Sequence, residues 1–297
     1  MKTSIFTLPS PDMSFRQAVD YALRLGIDAI EPYPHAEFIT PSPEAAKRLA
    51  DYAGEKGVGI CCFSMLGDLT AADVRSEIKR LKEYADVAAA LGSRYLHHTL
   101  APGLTFDVRT SSFRTMIRRV AEAAREVFDY AGERGVRCLY EDQGFIVNGV
   151  ERFDDFLDAL DRDAGVVADL GNILFVDETP EAFTARFLPA IRHVHVKDYL
   201  VKDSRWPHPG DGWYLSANGG FLRGTVIGHG QVNFTRVFSI LSAAGYDGFY
   251  SIEYDGMEDA YLAQAMGLKN MRRYMELASI QNASTTERHA ELGGTTA

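Results

Sequence analysis

Four strand-sized apolar runs each end on a side chain able to hold a cation. They are Cys138-Leu139-Tyr140-Glu141, Val166-Val167-Ala168-Asp169, His193-Val194-His195 and Tyr250-Ser251-Ile252-Glu253. Brought to one point, Glu141, Asp169, His195 and Glu253 would form a hard, mixed oxygen and nitrogen site. It suits Mn²⁺ first, and also Mg²⁺, Co²⁺, Zn²⁺ or Fe²⁺, and does not suit thiolate-seeking metals. Carboxylates gathered that closely repel one another unless a cation sits among them. Taken singly, each residue has a plainer reading. Asp169 before Leu170-Gly171-Asn172 reads as a helix cap or turn former, and His195, alternating with His193 and Lys197, as a hydrogen-bonded core histidine. A divalent ion chelated by a carbonyl and its neighbouring hydroxyl polarises the carbonyl and acidifies the adjacent C–H. A glutamate can then take that proton, and the fate of the proton and of the β-substituent selects epimerisation, isomerisation, or dehydration and cleavage.

Such convergence needs neighbouring strands, and the chain supplies them. Strands are expected at Ser4–Thr7, Ile27–Glu31, Val58–Ser64, Ser93–His98, Val136–Glu141, Val166–Asp169, Ile191–Lys197 and Gly248–Glu253. Helices are expected at Phe15–Leu25, Pro43–Lys56, Ala72–Leu91, Ser112–Arg134, Arg152–Asp161, Pro180–Phe187, Phe234–Ala244 and Glu258–Leu277. Ser14, Ser42 and Thr179 stand where N-caps belong, the last two followed by proline at a first-turn position. Strict alternation of eight strands and eight helices points to an α/β fold, a parallel (β/α)8 barrel as a single domain over residues 1–277. An open doubly wound sheet is the rival, and the lack of a Gly-x-Gly-x-x-Gly turn counts against it. Two segments break the rhythm. Residues 198–233 are a long connection after the seventh strand, carrying Trp206, Trp213, Tyr214 and Phe221, and residues 278–297 are expected to be a disordered tail.

The 297 residues are 46% hydrophobic and 24% charged, enough for a packed core. No apolar run is long enough to cross a bilayer, Pro9, Pro11 and Asp12 interrupt any leader-like core, and three cysteines make no disulfide framework, so a cytoplasmic protein is expected. A net charge of −10 argues against nucleic acid, whose binding relies on Lys and Arg displacing counterions. Arg114, Arg118, Arg119 and Arg125 read as the wet face of one helix.

The segments Leu139-Tyr140-Glu141, Asp169-Leu170-Gly171-Asn172, His193-Val194-His195-Val196-Lys197-Asp198, Gly228-His229-Gly230 and Ser251-Ile252-Glu253-Tyr254 resemble those of the xylose isomerase-like barrels. This sugar phosphate isomerase/epimerase group includes ketose 3-epimerases, inosose dehydratases and the catalytic subunits of C-glycoside-cleaving enzymes. The resemblance runs from about Ser4 to Leu277. It implies one divalent metal, Mn²⁺ foremost, on Glu141, Asp169, His195 and Glu253, with Glu141 and Glu253 as the acid/base pair on opposite faces of the substrate. Ketose 3-epimerases usually carry a histidine where this chain has Asn172, and an arginine before a Pro-Gly-x-Gly turn where this chain has Val226-Ile227-Gly228-His229-Gly230, with Arg223 nearby. Both departures tilt the expectation toward lyase chemistry, such as inosose dehydration or C-glycoside deglycosylation on a keto-sugar, keto-cyclitol or 3-keto-glycoside. A ketose 3-epimerase or sugar isomerase is the alternative, and a metal-dependent abasic-site endonuclease a remote one. His98, Asn172, Lys197, Gln143, Trp213 and Arg223 are the expected substrate contacts, Lys197 reading equally as a salt-bridging residue. A homo-oligomer is expected, and the C-glycoside branch implies a small β-rich second subunit.

Overall fold

The computed structural model describes residues 1–8, 12–103 and 112–293. Its strands are β1 (Lys2–Phe6), β2 (Ala29–Glu31), β3 (Gly59–Ile60), β4 (Phe63–Met65), β5 (Tyr95–His98), β6 (Arg137–Glu141), β7 (Gly165–Asp169), β8 (Ile191–Val196), β9 (Asp198–Lys202), β10 (Tyr214–Leu215), β11 (Phe221–Thr225) and β12 (Phe249–Ile252). Its α-helices are α1 (Phe15–Leu25), α2 (Pro43–Glu55), α3 (Val74–Ala90), α4 (Phe113–Gly132), α5 (Val150–Leu160), α6 (Pro180–Phe187), α7 (Phe234–Ala243) and α8 (Ala260–Gly293).

Nine of the strands form one parallel sheet in the order β3-β2-β1-β12-β8-β7-β6-β5-β4. Its two ends, β3 and β4, are consecutive pieces of one expected strand interrupted at Cys61-Cys62, so the sheet closes on itself into the (β/α)8 barrel. Because β6, β7, β8 and β12 are successive neighbours, residues at their carboxyl ends converge without long-range coincidence.

Local chemistry sets the helix boundaries. Ser14 and Gln17 form a reciprocal capping box at the start of α1, and Gly26 ends it at φ 63°, a left-handed conformation that glycine adopts without a Cβ penalty. Ser42 and Thr179 accept from backbone N–H groups at the starts of α2 and α6. Arg114, Arg118 and Arg119 are exposed on α4, as a solvated helix face requires.

Two expectations are revised. The connection at 198–233 contains an antiparallel sheet, order β10-β11-β9. Asp198 ties its return: Oδ2 accepts from Gly228 N and Gly230 N at 2.8 Å, and Oδ1 from Val232 N at 3.1 Å. A Cβ on Gly230 would stand 2.3 Å from Asp198 Oδ1, which makes that glycine a packing requirement. The tail is the second revision, since α8 continues past Leu277 to Gly293. Ala278 is buried, and Asn282 donates to Ser239 O at 3.1 Å and Ser242 Oγ at 2.7 Å on α7. Polar side chains that looked like solvent-seeking tail residues are spent on a helix–helix contact. Residues 294–297 of the expected tail lie outside the described residues.

Candidate metal centre and its pocket

Side chains alternate across a strand, so β8 and its continuation direct His193, His195 and Lys197 to one face, the barrel interior. Glu141 and Asp169 close β6 and β7, and Glu253 follows β12 directly, its N–H held by Val196 O at 3.1 Å. In Glu141, Asp169, His195 and Glu253 the candidate ligand atoms all lie within 4.8 Å of one another, and all four residues are buried. The imidazole is the hub: His195 Nδ1 is 2.5 Å from Glu141 Oε1, 3.0 Å from Glu253 Oε2 and 3.8 Å from Asp169 Oδ2. Phe6 stacks on its ring at 5.3 Å.

The residues fit a divalent ion. Asp169 divides its carboxylate: Oδ1 accepts from Gly171 N and Asn172 N at 2.8 Å, which is the turn-forming role, while the buried Oδ2 faces the cluster. Glu253 Oε2 is likewise buried, with His195 Nδ1 3.0 Å away. Buried anionic oxygens gathered around one point cost free energy unless a cation satisfies them. Part of that charge is met by Lys197, whose Nζ lies 2.6 Å from Glu253 Oε1 and 3.2 Å from Asp169 Oδ2. The salt-bridging reading of Lys197 is therefore met, and the same ammonium also donates to Asn172 Oδ1 at 3.2 Å.

Proton affinities follow from this crowding. Burial pushes Asp169 up to about 7 against the pull of Lys197. Burial also opposes ionisation of Glu253, but Lys197 and His195 outweigh it and bring that carboxyl down to about 2. Burial alone would strip the proton from His195, yet the carboxylates of Glu31 and Glu141 hold it well above the usual histidine range.

A cavity of about 300 Å³ opens above the cluster, lined among others by Gln143, Asn172, Lys197, Tyr199, Glu253 and Asp255. Three of the expected substrate contacts, Gln143, Asn172 and Lys197, are on its wall. His98 is not. Its ring packs edge-on against Tyr140 at 5.2 Å, and its Nδ1 bonds Thr99 O at 3.0 Å, on the helix-facing side of β5. Its neighbour His97 faces inward, 5.5 Å from the His195 ring and with Nε2 3.6 Å from Glu141 Oε2. Trp213 and Arg223 do not line this cavity. They sit on the β9–β11 sheet, Trp213 between Lys202 at 5.1 Å and the Arg223 guanidinium at 5.8 Å, with Arg223 Nη2 3.8 Å from Glu258. Tyr199 and Asp255, joined by a 2.9 Å hydrogen bond, were not expected at the pocket. They stand two residues beyond Lys197 and Glu253, so continuing the strand alternation past the last expected residue would have found them.

A larger cavity of about 720 Å³ lies at the other end of the barrel, among Lys2, Arg94, Arg192 and Gly248. Size alone would choose it, but barrel chemistry resides at the carboxyl ends of the strands, and none of the cluster residues reaches it. Cys61, Cys62 and Cys138 are free and buried; burial pushes the Cys138 thiol up to about 12, which leaves it a small packing residue. Among the described residues, no helix is long and apolar enough to cross a membrane.

The chain is 31% identical over 142 residues to an inosose dehydratase from Yersinia enterocolitica, covering 46% of this chain and 47% of that protein. It spans about half the length of the curated relatives it matches. A solved xylose isomerase domain protein from Planctomyces limnophilus superposes with a TM-score of 0.75 at 15% identity, covering 95% of this chain and 98% of that one. A structure of D-psicose 3-epimerase with D-tagatose, from Clostridium cellulolyticum H10, superposes with a TM-score of 0.73 at 15% identity, covering 93% and 99%. At those identities the likeness is one of fold. The family model described as xylose isomerase-like TIM barrel matches residues 19–275, and the chain belongs to that family.

Proposed function

We propose that this chain is a divalent-metal-dependent enzyme, Mn²⁺ foremost, acting on a keto-sugar, keto-cyclitol or 3-keto-glycoside by removing a proton next to the carbonyl, with lyase outcome. The observation that carries the reading is the set of carboxylates around His195 Nδ1, Glu141 at 2.5 Å, Glu253 at 3.0 Å and Asp169 at 3.8 Å, beneath a cavity of small-sugar size. The four residues Glu141, Asp169, His195 and Glu253 would hold the ion, which supplies polarisation of the substrate carbonyl.

Glu253 lies on the pocket wall and is ionised at neutral pH, so it stands ready as the base. Its low proton affinity makes it a weak base, and the C–H must therefore be acidified by the carbonyl. Lys197 and Asn172 orient substrate hydroxyls, Gln143 and Asp255 reach them from the mouth, and Tyr199 holds Asp255 through its 2.9 Å hydrogen bond. The carbanion electrons expel the β-substituent, and Glu141, recharged with a proton from solvent between turnovers, protonates that group as it departs. Two flanking carboxylates also serve a 3-epimerase, which returns the proton to the opposite face. Asn172 in place of a histidine favours elimination.

The test is exchange in D₂O. Mn²⁺-loaded protein is incubated with ketoses, inososes and 3-keto-glycosides, and products are followed by mass spectrometry. Deuterium uptake beside the carbonyl, abolished by chelation and accompanied by loss of water or aglycone, is expected. Uptake with retention of substrate mass would replace the lyase reading by the epimerase. No exchange with any of the three classes would overturn both.

A further inference from the structure

On the Nε2 side of the His195 ring lies a buried carboxylate with no part in the chemistry above. Glu31, at the end of β2, is completely buried, and both of its oxygens are engaged. Oε1 accepts from His195 Nε2 at 2.9 Å and from the Ser64 hydroxyl; Oε2 accepts from His193 Nε2 at 2.8 Å. A carboxylate can only accept, so both imidazoles must present N–H at Nε2.

Glu31 also stands among groups that could be read as cation sites in their own right, with His97 and His195 or with Cys61 and His193. The hydrogen bonding argues against that. Three donors already occupy the two oxygens of Glu31, and the Cys61 thiol donates to Ile30 O at 3.3 Å. The layer is a closed network whose free valence points upward, through His195.

Resting on the metal reading above, we infer that Glu31 is a positioning residue for the metal centre. By taking His195 Nε2–H it leaves Nδ1 as the nitrogen that faces Glu141, Asp169 and Glu253, the one that gives up its proton to an entering cation. A histidine ligand commonly donates its other N–H to a carboxylate, which fixes ring and tautomer and raises ligand basicity. Here one carboxylate serves the ligand His195 and the non-ligand His193 together, so the orientation of both rings depends on it. A glutamine could not substitute. Its carbonyl accepts one N–H, while its NH₂ meets the second imidazole and demands a lone pair there.

Calorimetric titration of Mn²⁺ into the metal-stripped full chain tests this, with Glu31→Gln and Asp169→Asn beside the unaltered protein. The expected result is 10–100-fold weaker binding for Glu31→Gln, the range typical of losing such a support. Equal affinity in Glu31→Gln and the unaltered protein would overturn the inference while leaving the metal reading intact. No binding by the unaltered protein, or no loss in Asp169→Asn, would overturn the metal reading and the inference with it. Should Glu31→Gln fail to fold, ¹⁵N NMR of histidine-labelled, Zn²⁺-loaded unaltered protein still decides. His195 is expected to carry its proton on Nε2, and a proton on Nδ1 would overturn the inference.

Discussion

The two ends of the barrel interior are built from the same strands and do opposite work. At the lower end Ala29, Cys61, Cys62, Leu139 and Val167 form an apolar plug, flanked by Tyr95 and Phe249. At the upper end Glu31, Glu141, Asp169, His195, Lys197 and Glu253 are buried charged or imidazole groups. The change happens within single strands, between residues two apart on one face: Ala29 and Glu31 on β2, Leu139 and Glu141 on β6, Val167 and Asp169 on β7. That step is about 7 Å along a strand. An apolar layer beneath keeps water from the carboxylates and lends the strands the stability that clustered charges take away.

The largest effect should come from the upper layer. Glu253→Gln is expected to lower turnover on the order of 10³-fold, the scale of losing a general base, with circular dichroism unchanged and the thermal midpoint of the metal-free protein lowered by loss of the buried ion pair with Lys197. Near-normal turnover would remove Glu253 from the chemistry. The lower layer should behave in the reverse sense. Leu139→Ala, two residues before Glu141, is expected to cost about 2–5 kcal/mol in urea unfolding while Mn²⁺ affinity is retained. A loss of metal binding as large as the loss of stability would mean the layers are not separable.

The smallest effect lies just outside the barrel wall and depends on pH. Burial pushes His98 down to about 4 from its ordinary 6.5. Between those values the unfolded chain takes up a proton that the folded one refuses, so stability rises with pH there and is lost as pH falls from about 6.5 toward 4. The full difference is about 3 kcal/mol. In His98→Gln the acid limb of the urea midpoint should flatten over that window, with turnover at neutral pH unaffected. An unchanged acid limb would contradict the helix-facing placement of His98.

Legibility followed the same division. The barrel could be read because apolar runs, caps and helix-ending glycines recur at a regular spacing, and the four-residue cluster because each member ends such a run. The register of β5 was harder. His97 and His98 are adjacent, and alternation lets only one of them face the interior; Leu96, two residues before His98, packs outward in the main core, which assigns His98 to that face. Glu31 was visible as a strand-end acid, but its tie to two histidines spans 162 and 164 residues, beyond any local pattern. The β9–β11 sheet was hidden by its Gly- and Pro-rich surroundings, and the extension of α8 by polar residues that bond to α7.

The most direct measurement is anomalous scattering from a crystal of this protein soaked in Mn²⁺. One peak is expected among Glu141, Asp169, His195 Nδ1 and Glu253, with every ligand atom within about 2.0–2.4 Å. A peak at the Glu31, Cys61 and His193 layer instead, or none in the barrel, would contradict the assignment of these four strand-end residues as the metal centre.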